Sequence, residues 1–377
     1  MASAAQSPAT SGPSTGLDGE THRRSLPSGR AVLNRLIALR EGSIIVVTLI
    51  TAIYFTTNTS SFFTGANFET LLPYFAPFAI LAAGEVFVMI LGEIDLSIGA
   101  MYLFAPILFY KLDSSVGLGL VPSLIVALLV CMAVGAVNGF FVAVVEINSF
   151  VTTLATLFCF EGLALIVSHG TPVATPGAAV HSTEVAVNHV VNGHTITLHE
   201  KVNHIGTFAK IFGGGIYSEL IWAVAIVLIL QVALTFTRWG LYTVAIGSNK
   251  LGASEAGVQV KLVMIRNYVL CALLAGLVGV FEAVRSSTVQ PDPAGANEIL
   301  FLAVAAGVIG GTLLTGGSGT VVGALIGALF LGVLKDGLIL QGVNANYLLF
   351  YTGLAIIVAM TANVYVGRVR RGHVGSG

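Results

Sequence analysis

Residues 119–145 read GLVPSLIVALLVCMAVGAVNGFFVAVV, a run without a single charged side chain. A helix needs about 20 apolar residues to cross the ~30 Å hydrocarbon core of a bilayer, and this run suffices. Further candidate spans lie at 43–57, 71–91, 98–111, 149–168, 218–236, 267–285, 298–313, 320–338 and 346–365. The runs at 98–111 and 298–313 are short, as broken or tilted helices would be. The expected fold class is therefore all-α: a polytopic integral membrane protein of about ten transmembrane helices.

Composition agrees. Of 377 residues, 55% are hydrophobic and 9% charged, against about 25% charged in soluble domains. A formal net charge of −1 argues against nucleic-acid binding, which requires a basic footprint. Cys131, Cys159 and Cys271 sit in apolar stretches with no metal-ligand spacing and no disulfide framework. Residues 1–40 open with a stretch rich in Ser, Ala, Gly, Pro and Thr and are expected to be a disordered tail. No apolar core follows the first residues, so they do not read as a signal peptide.

Lys and Arg set the orientation. Arg23, Arg24, Arg30, Arg35 and Arg40 precede the first span, and Arg368, Arg370 and Arg371 follow the last. Both termini are thus expected in the cytoplasm, with 41–366 as the transmembrane domain and 367–377 as a short C-terminal tail. Segment 237–266 carries Arg238, Lys250, Lys261 and Arg266 and falls on the cytoplasmic side. Segment 169–217 has two lysines and no arginine and falls outside.

Gly135–Gly139 and Gly323–Gly327 are small-xxx-small pairs, which let helix backbones approach closely in lipid. Tight packing is a stronger expectation for them than substrate contact. An internal echo is also present. Val134–Gly139 (VGAVNG) resembles Val322–Gly327 (VGALIG), and Gly162–Val167 (GLALIV) resembles Gly353–Val358 (GLAIIV). Transporters are often built from repeated halves, although apolar segments also resemble one another by chance.

Gly92–Gly99 (GEIDLSIG) places two carboxylates, Glu93 and Asp95, between long apolar runs. A charge inside a bilayer costs at least about 2.5–3.5 kcal/mol, so it requires a partner, water or a boundary position. Either Asp95 and Ser97 cap the following helix, or the segment contacts substrate or relays protons.

The octet resembles the Gly-x-Ile-Asp-Leu-Ser-Val-Gly signature of permeases in the ribose, xylose and galactose class of ATP-binding-cassette importers. Three more segments resemble that family in order: Ala245–Asn249 with Ala253–Val258, Leu274–Gly279 with Arg285, and Val308–Thr312 with Gly316–Thr320. Together they cover roughly residues 70–365. The resemblance implies a homodimer in the cytoplasmic (inner) membrane, with the pathway at the dimer interface and an extracytoplasmic sugar-binding protein delivering a monosaccharide. It also implies that 237–266 is a coupling segment docking into a partner ATPase, with Asn249, Ala253, Glu255, Ala256 and Gly257 at the contact and a short helix over Leu251–Val260. The sequence departs from the family at Glu255-Ala256, where Leu-Ser or similar is more usual, which puts individual contacts in question.

None of the lysines sits in a Gly-x-x-x-x-Gly-Lys-Ser/Thr loop, so ATP and Mg are expected on the partner ATPase, with no cofactor and no catalytic residue in this chain. No nucleophile elbow or zinc-protease motif is present either. Between the sixth and fifth spans, His181, His189, His194, His199 and His204 crowd together around Asn192-Gly193, a hairpin turn signal. That register faces Val191 with His194 and His189 with Ile196. A solvated hairpin is the stronger expectation, and no metal site is assigned.

The remaining candidates are scattered. Pathway candidates are Glu85, Glu93, Asp95, Ser97 and Asn138, with Glu85 either facing a wet path or, protonated, hydrogen-bonding between helices. Phe87, Tyr102 and Phe158 could stack on a sugar. Glu161 and Glu282 are further charges within spans, and Lys335 and Asp336 could neutralise each other. Asn138 and Gln231 could hydrogen-bond across helices. Two rivals share this scaffold or composition: a branched-chain amino acid permease, and a proton-coupled transporter using Glu85, Glu93 or Asp95.

Overall fold

A computed structural model of the protein describes residues 41–175, 180–191, 194–215 and 217–374, with side chains outside 180–205 and 362–374. The tail over 1–40 and the Asn192-Gly193 turn lie outside the described residues. Every apolar run forms a helix: α1 (Gly42–Asn58), α2 (Gly65–Ile90), α3 (Ser97–Tyr110), α4 (Leu120–Ala143) and α5 (Ser149–Ser168), then α7 (Ser218–Phe236), α10 (Val260–Ser286), α11 (Pro293–Ile309), α12 (Val321–Leu340) and α13 (Ala345–Val374). Six of them, α2, α4, α5, α7, α10 and α12, are long and apolar enough to cross a membrane. Shorter helices α6 (Thr207–Ile211), α8 (Arg238–Ser248) and α9 (Lys250–Glu255) lie between them.

Local chemistry sets the boundaries. The Thr64 hydroxyl accepts the Asn67 N–H at 3.3 Å at the start of α2. Asp292 accepts the Ala294 N–H at 3.0 Å, ahead of Pro293, which begins α11 where no N–H is needed. The start of α12 is capped twice. Thr320 accepts the Gly323 N–H at 3.0 Å, and Gln231 on α7 accepts those of Val321 and Val322 at 2.9 and 3.1 Å. Gln231 thus crosses between helices, but to backbone.

Helix α2 is the axis of the molecule. Buried residues make up 89% of its most apolar window, against 28–33% for α4, α5 and α7. Those three turn apolar side chains outward, which water penalises and lipid does not. The echoing segments occupy corresponding places: α4 packs chiefly on α10, and α12 on α2. The two sets, α2–α5 and α10–α13, clasp through α2, α3 and α4 on one side and α10, α11 and α12 on the other, while α5 packs on α3 and α4, and α13 on α11 and α12.

The glycine pairs are where backbones touch. A Cβ on Gly135 would lie 2.5 Å from the Tyr268 carbonyl oxygen of α10, and one on Gly139 2.7 Å from Ile265 Cα. Gly323 and Gly327 meet the backbone of α11 at Gly310 and Ala306 just as closely.

One helix expectation is corrected, and two helices extend beyond the spans expected within them. The helix expected over Leu251–Val260 is α9, which stops at Glu255 because Gly257 takes a left-handed φ of +82°. The helix that contains the expected span 267–285 begins at Val260, and the one that contains 346–365 runs to Val374. Charge ended both expected spans, but it does not end a helix. Arg and Lys are good helix formers, and Arg266 sits 4.8 Å over the Trp239 ring.

The two longer strands, β2 (Val180–Val191) and β3 (His194–Ile205), pair antiparallel with His189 opposite Ile196 and Val191 opposite His194. The histidine side chains lie outside the described residues. Two short strands, β1 (Val173–Ala174) and β4 (Thr288–Val289), tie the exit of α5 to the exit of α10.

Candidate functional site

The signature octet is the break between α2 and α3. Gly92 turns the chain with φ +82°. Asp95 Oδ1 then accepts the Ser97 N–H at 2.9 Å and the Ser97 hydroxyl at 2.6 Å. The capping group is Asp95. Ser97 is the first helical residue and donates to the cap instead of serving as one.

Around this break side chains of α2, α3, α4, α5 and α10 form a polar network. Glu85, ten residues earlier near the end of α2, accepts the Asp95 N–H on Oε1 at 3.0 Å and the Cys271 thiol of α10 on Oε2 at 3.2 Å. Asn138 of α4 donates to Ser97 Oγ at 2.9 Å and accepts the Thr156 hydroxyl of α5 at 2.6 Å. Glu85, Asp95, Ser97 and Asn138 are all fully buried. Four of the five sequence candidates therefore converge on one network. Asp95 Oδ2 is its one oxygen left without a hydrogen-bond partner. Glu93 stands apart, half-buried, with no role in the network.

Of the two expectations for Glu85, hydrogen bonding between elements is the one seen: its fully buried carboxylate lies at the junction of α2, the octet and α10. Phe87 is fully buried and packs on Trp239, with ring centroids 5.0 Å apart, while Phe158 is 62% exposed on α5. Of the three ring candidates, Tyr102 lines a cavity. Lys335 and Asp336 do not pair. Lys335 donates to Glu298 at 2.9 Å, and Asp336 accepts from Asn67 at 2.8 Å. Consecutive helical residues point about 100° apart, so neighbours in sequence do not meet.

The short helix α8 sits against the same end of α2, and α9 packs on α8 and α10. Trp239 of α8 donates its indole N–H to Asn267 Oδ1 at 2.7 Å, and Asn267 Nδ2 donates to the Phe87 carbonyl at 2.9 Å. Gly247 presses on the Ile90 carbonyl, which also accepts the Gly317 N–H at 2.8 Å. One turn later, Asn249 accepts the Gly252 N–H at 2.9 Å and starts α9. Ala253 is buried as the anchor of α9, while Glu255, Ala256 and Gly257 are exposed, as is Leu251 at 70%. A groove of about 740 Å³ runs beside α9, lined by Glu146, Lys250, Leu251, Ser254 and Lys261 among others.

Packed contacts thus run from α9 through α8 to Phe87 and Ile90 at the end of α2, next to the octet. Sequence reasoning did not single out Trp239, Asn267, Thr156 or the pairing role of Cys271. A lone amide in an apolar run, as at Asn267, was the available signal, since buried amides are found hydrogen-bonded.

A family profile described as branched-chain amino acid transport system / permease component matches residues 67–360. The xylose/arabinose import permease protein XylH of Sulfolobus acidocaldarius is 32% identical over 337 residues, covering 87% of this chain and 86% of that protein. The ribose import permease protein RbsC of Escherichia coli is 31% identical over 339 residues, covering 88% and 96%. The D-allose transport system permease protein AlsC of Escherichia coli is 26% identical, covering 87% and 93%. No solved structure matches the chain.

Proposed function

We propose, from the premise that this chain belongs to the branched-chain amino acid transport system / permease component family, that it is the membrane subunit of an ATP-driven monosaccharide importer. The family description names amino acids, but the relatives named above are permeases for pentoses and an aldohexose, matched along almost their whole length. That near-complete correspondence carries the sugar assignment.

Two copies of the chain frame the pathway in this proposal, each crossing the membrane about ten times with both ends in the cytoplasm. The Lys and Arg residues of 237–266 support placing α8, α9 and the octet on the cytoplasmic side. An ATPase pair, holding ATP and Mg, docks on Asn249–Gly257, and an external binding protein supplies the sugar. Closure of the ATPases pushes α9. The Trp239–Asn267–Phe87 contacts transmit the push to α2, and the two clasped helix sets shift. The ATPase states bias the equilibrium by binding the two permease conformations unequally.

Vesicles containing the chain, its ATPase and its binding protein provide the test. Xylose, ribose or allose is expected to accumulate only with ATP inside the compartment that holds the ATPase. Accumulation by the chain alone, driven by a pH gradient, would overturn the proposal in favour of a secondary transporter.

A further inference from the structure

At the end of the bundle opposite α9, two adjoining cavities of about 240 and 230 Å³ share Tyr102, Glu282, Gly295 and Ile299. Together they reach the lower part of the ~300–1,000 Å³ range of small-ligand sites. They open between α2, α3, α10, α11 and α12 of one subunit, which sets them apart from a path between two subunits.

The walls carry paired charges. Glu282 accepts from Arg285 Nε at 3.1 Å and from the Ser286 hydroxyl at 3.2 Å. Glu298 accepts from Lys335 at 2.9 Å, and that ammonium lies 5.2 Å over the Tyr74 ring. Behind Arg285, Glu219 lies 3.6 Å from its Nε, 1% exposed, with neither oxygen hydrogen-bonded. The Tyr74 hydroxyl is likewise buried without a hydrogen-bond partner.

Such a lining selects by chemistry. An apolar ligand would strip water from these paired charges and offer no hydrogen bond in return, which costs free energy. An ion of either sign would meet like charge. A neutral polyol meets both demands, because each hydroxyl donates to a carboxylate and accepts from a guanidinium or ammonium. The Tyr102 and Tyr74 rings add flat apolar faces for the C–H side of a pyranose or furanose. The ion pairs are already in place, so no charge must be reoriented on binding.

We infer that this vestibule within each subunit is a low-affinity binding site for a neutral monosaccharide, held after release from the binding protein and before passage. The inference rests on the proposed function for its direction of travel but has its own test. Purified full-length chain in detergent is titrated with labelled xylose, ribose and allose by equilibrium dialysis, with glucuronate as the charged control.

Saturable binding of at least one neutral sugar is expected, with Kd in about the millimolar range, and none of glucuronate. Tyr102→Phe and Gln290→Ala each remove one polar contact, and each is expected to weaken binding about fivefold with an unchanged size-exclusion profile. Gln290 is exposed, so its truncation leaves packing intact. Absence of saturable binding, equal binding of glucuronate, or wild-type affinity in both variants overturns the inference. Sugar uptake by the assembled importer is measured separately, so its failure sinks the functional proposal and leaves the vestibule to be judged on binding alone.

Discussion

Trp239 on α8 and Asn267 on α10 are joined by an indole N–H to amide oxygen bond of 2.7 Å. Asn267 is fully buried, and its amide nitrogen donates to the Phe87 carbonyl at 2.9 Å and reaches Thr243 Oγ1 at 3.3 Å. One side chain therefore binds three elements: the short helix that carries α9, the end of α2, and α10. In the proposed cycle, this joint is what would carry a push on α9 to all three.

Replacement of that amide is expected to loosen the joint. Asn267→Leu keeps the volume but leaves the Trp239 N–H without its acceptor inside a packed junction. A loss of about 1–3 kcal/mol is expected, read as a lowered Tm of the purified chain, with uptake falling further than ATPase binding. Equal losses in both would show a folding role without transmission.

Glu85 separates two accounts of the chain. Both its oxygens accept hydrogen bonds, from the Asp95 N–H and the Cys271 thiol. A glutamine keeps one oxygen for Asp95 and turns its NH₂ to sulfur, a weak acceptor. Glu85→Gln is thus expected to retain uptake within about threefold, a cost under ~1 kcal/mol. Glu85→Leu strands the Asp95 N–H and should cost about 1–3 kcal/mol of stability. A proton-coupled carrier would lose transport in the glutamine variant as well.

The helices were legible because apolar runs of span length have one stable answer in lipid, and each run became a helix. The octet was legible too, since paired carboxylates between apolar segments demand local partners. Pairings across helices were not. Lys335 with Glu298 and Glu85 with Cys271 are separated by 37 and 186 positions, and no periodicity within one helix encodes a neighbour that distant. Boundaries such as Val260 were missed because charge marks the membrane edge, not the helix end.

Two glycines at the same end of the molecule should respond differently to alanine. A Cβ on Gly247 collides with the Ile90 carbonyl and lies 2.7 Å from the Gly317 nitrogen, and backbone cannot step aside cheaply. Gly247→Ala is expected to cost about 1–3 kcal/mol through overpacking. Gly257 has no atom within 4 Å of an added Cβ, so Gly257→Ala meets only the penalty of its φ of +82°, about 1–2 kcal/mol. Thermal unfolding would rank them. Uptake should suffer more at Gly247, which lies on the route from α9 to α2. The opposite order in uptake would place the transmitting contact in the loop after α9.

Glu255 offers the most direct test of where the ATPase docks. It is exposed at the end of α9, two residues after the buried anchor Ala253 and two before the turn at Gly257. No other group in the described structure pairs with it, so reversing its charge disturbs no internal contact. Glu255→Arg should leave insertion and Tm unchanged. Its effect should fall on the partner, weakening ATPase capture about tenfold, or about 1.4 kcal/mol. Uptake should drop with it, and high ATPase concentration should restore part of the loss by mass action. Unaltered capture and normal uptake in this variant would move the docking surface away from α9, because a charge reversal on an interface rim alters association even where it adds little affinity.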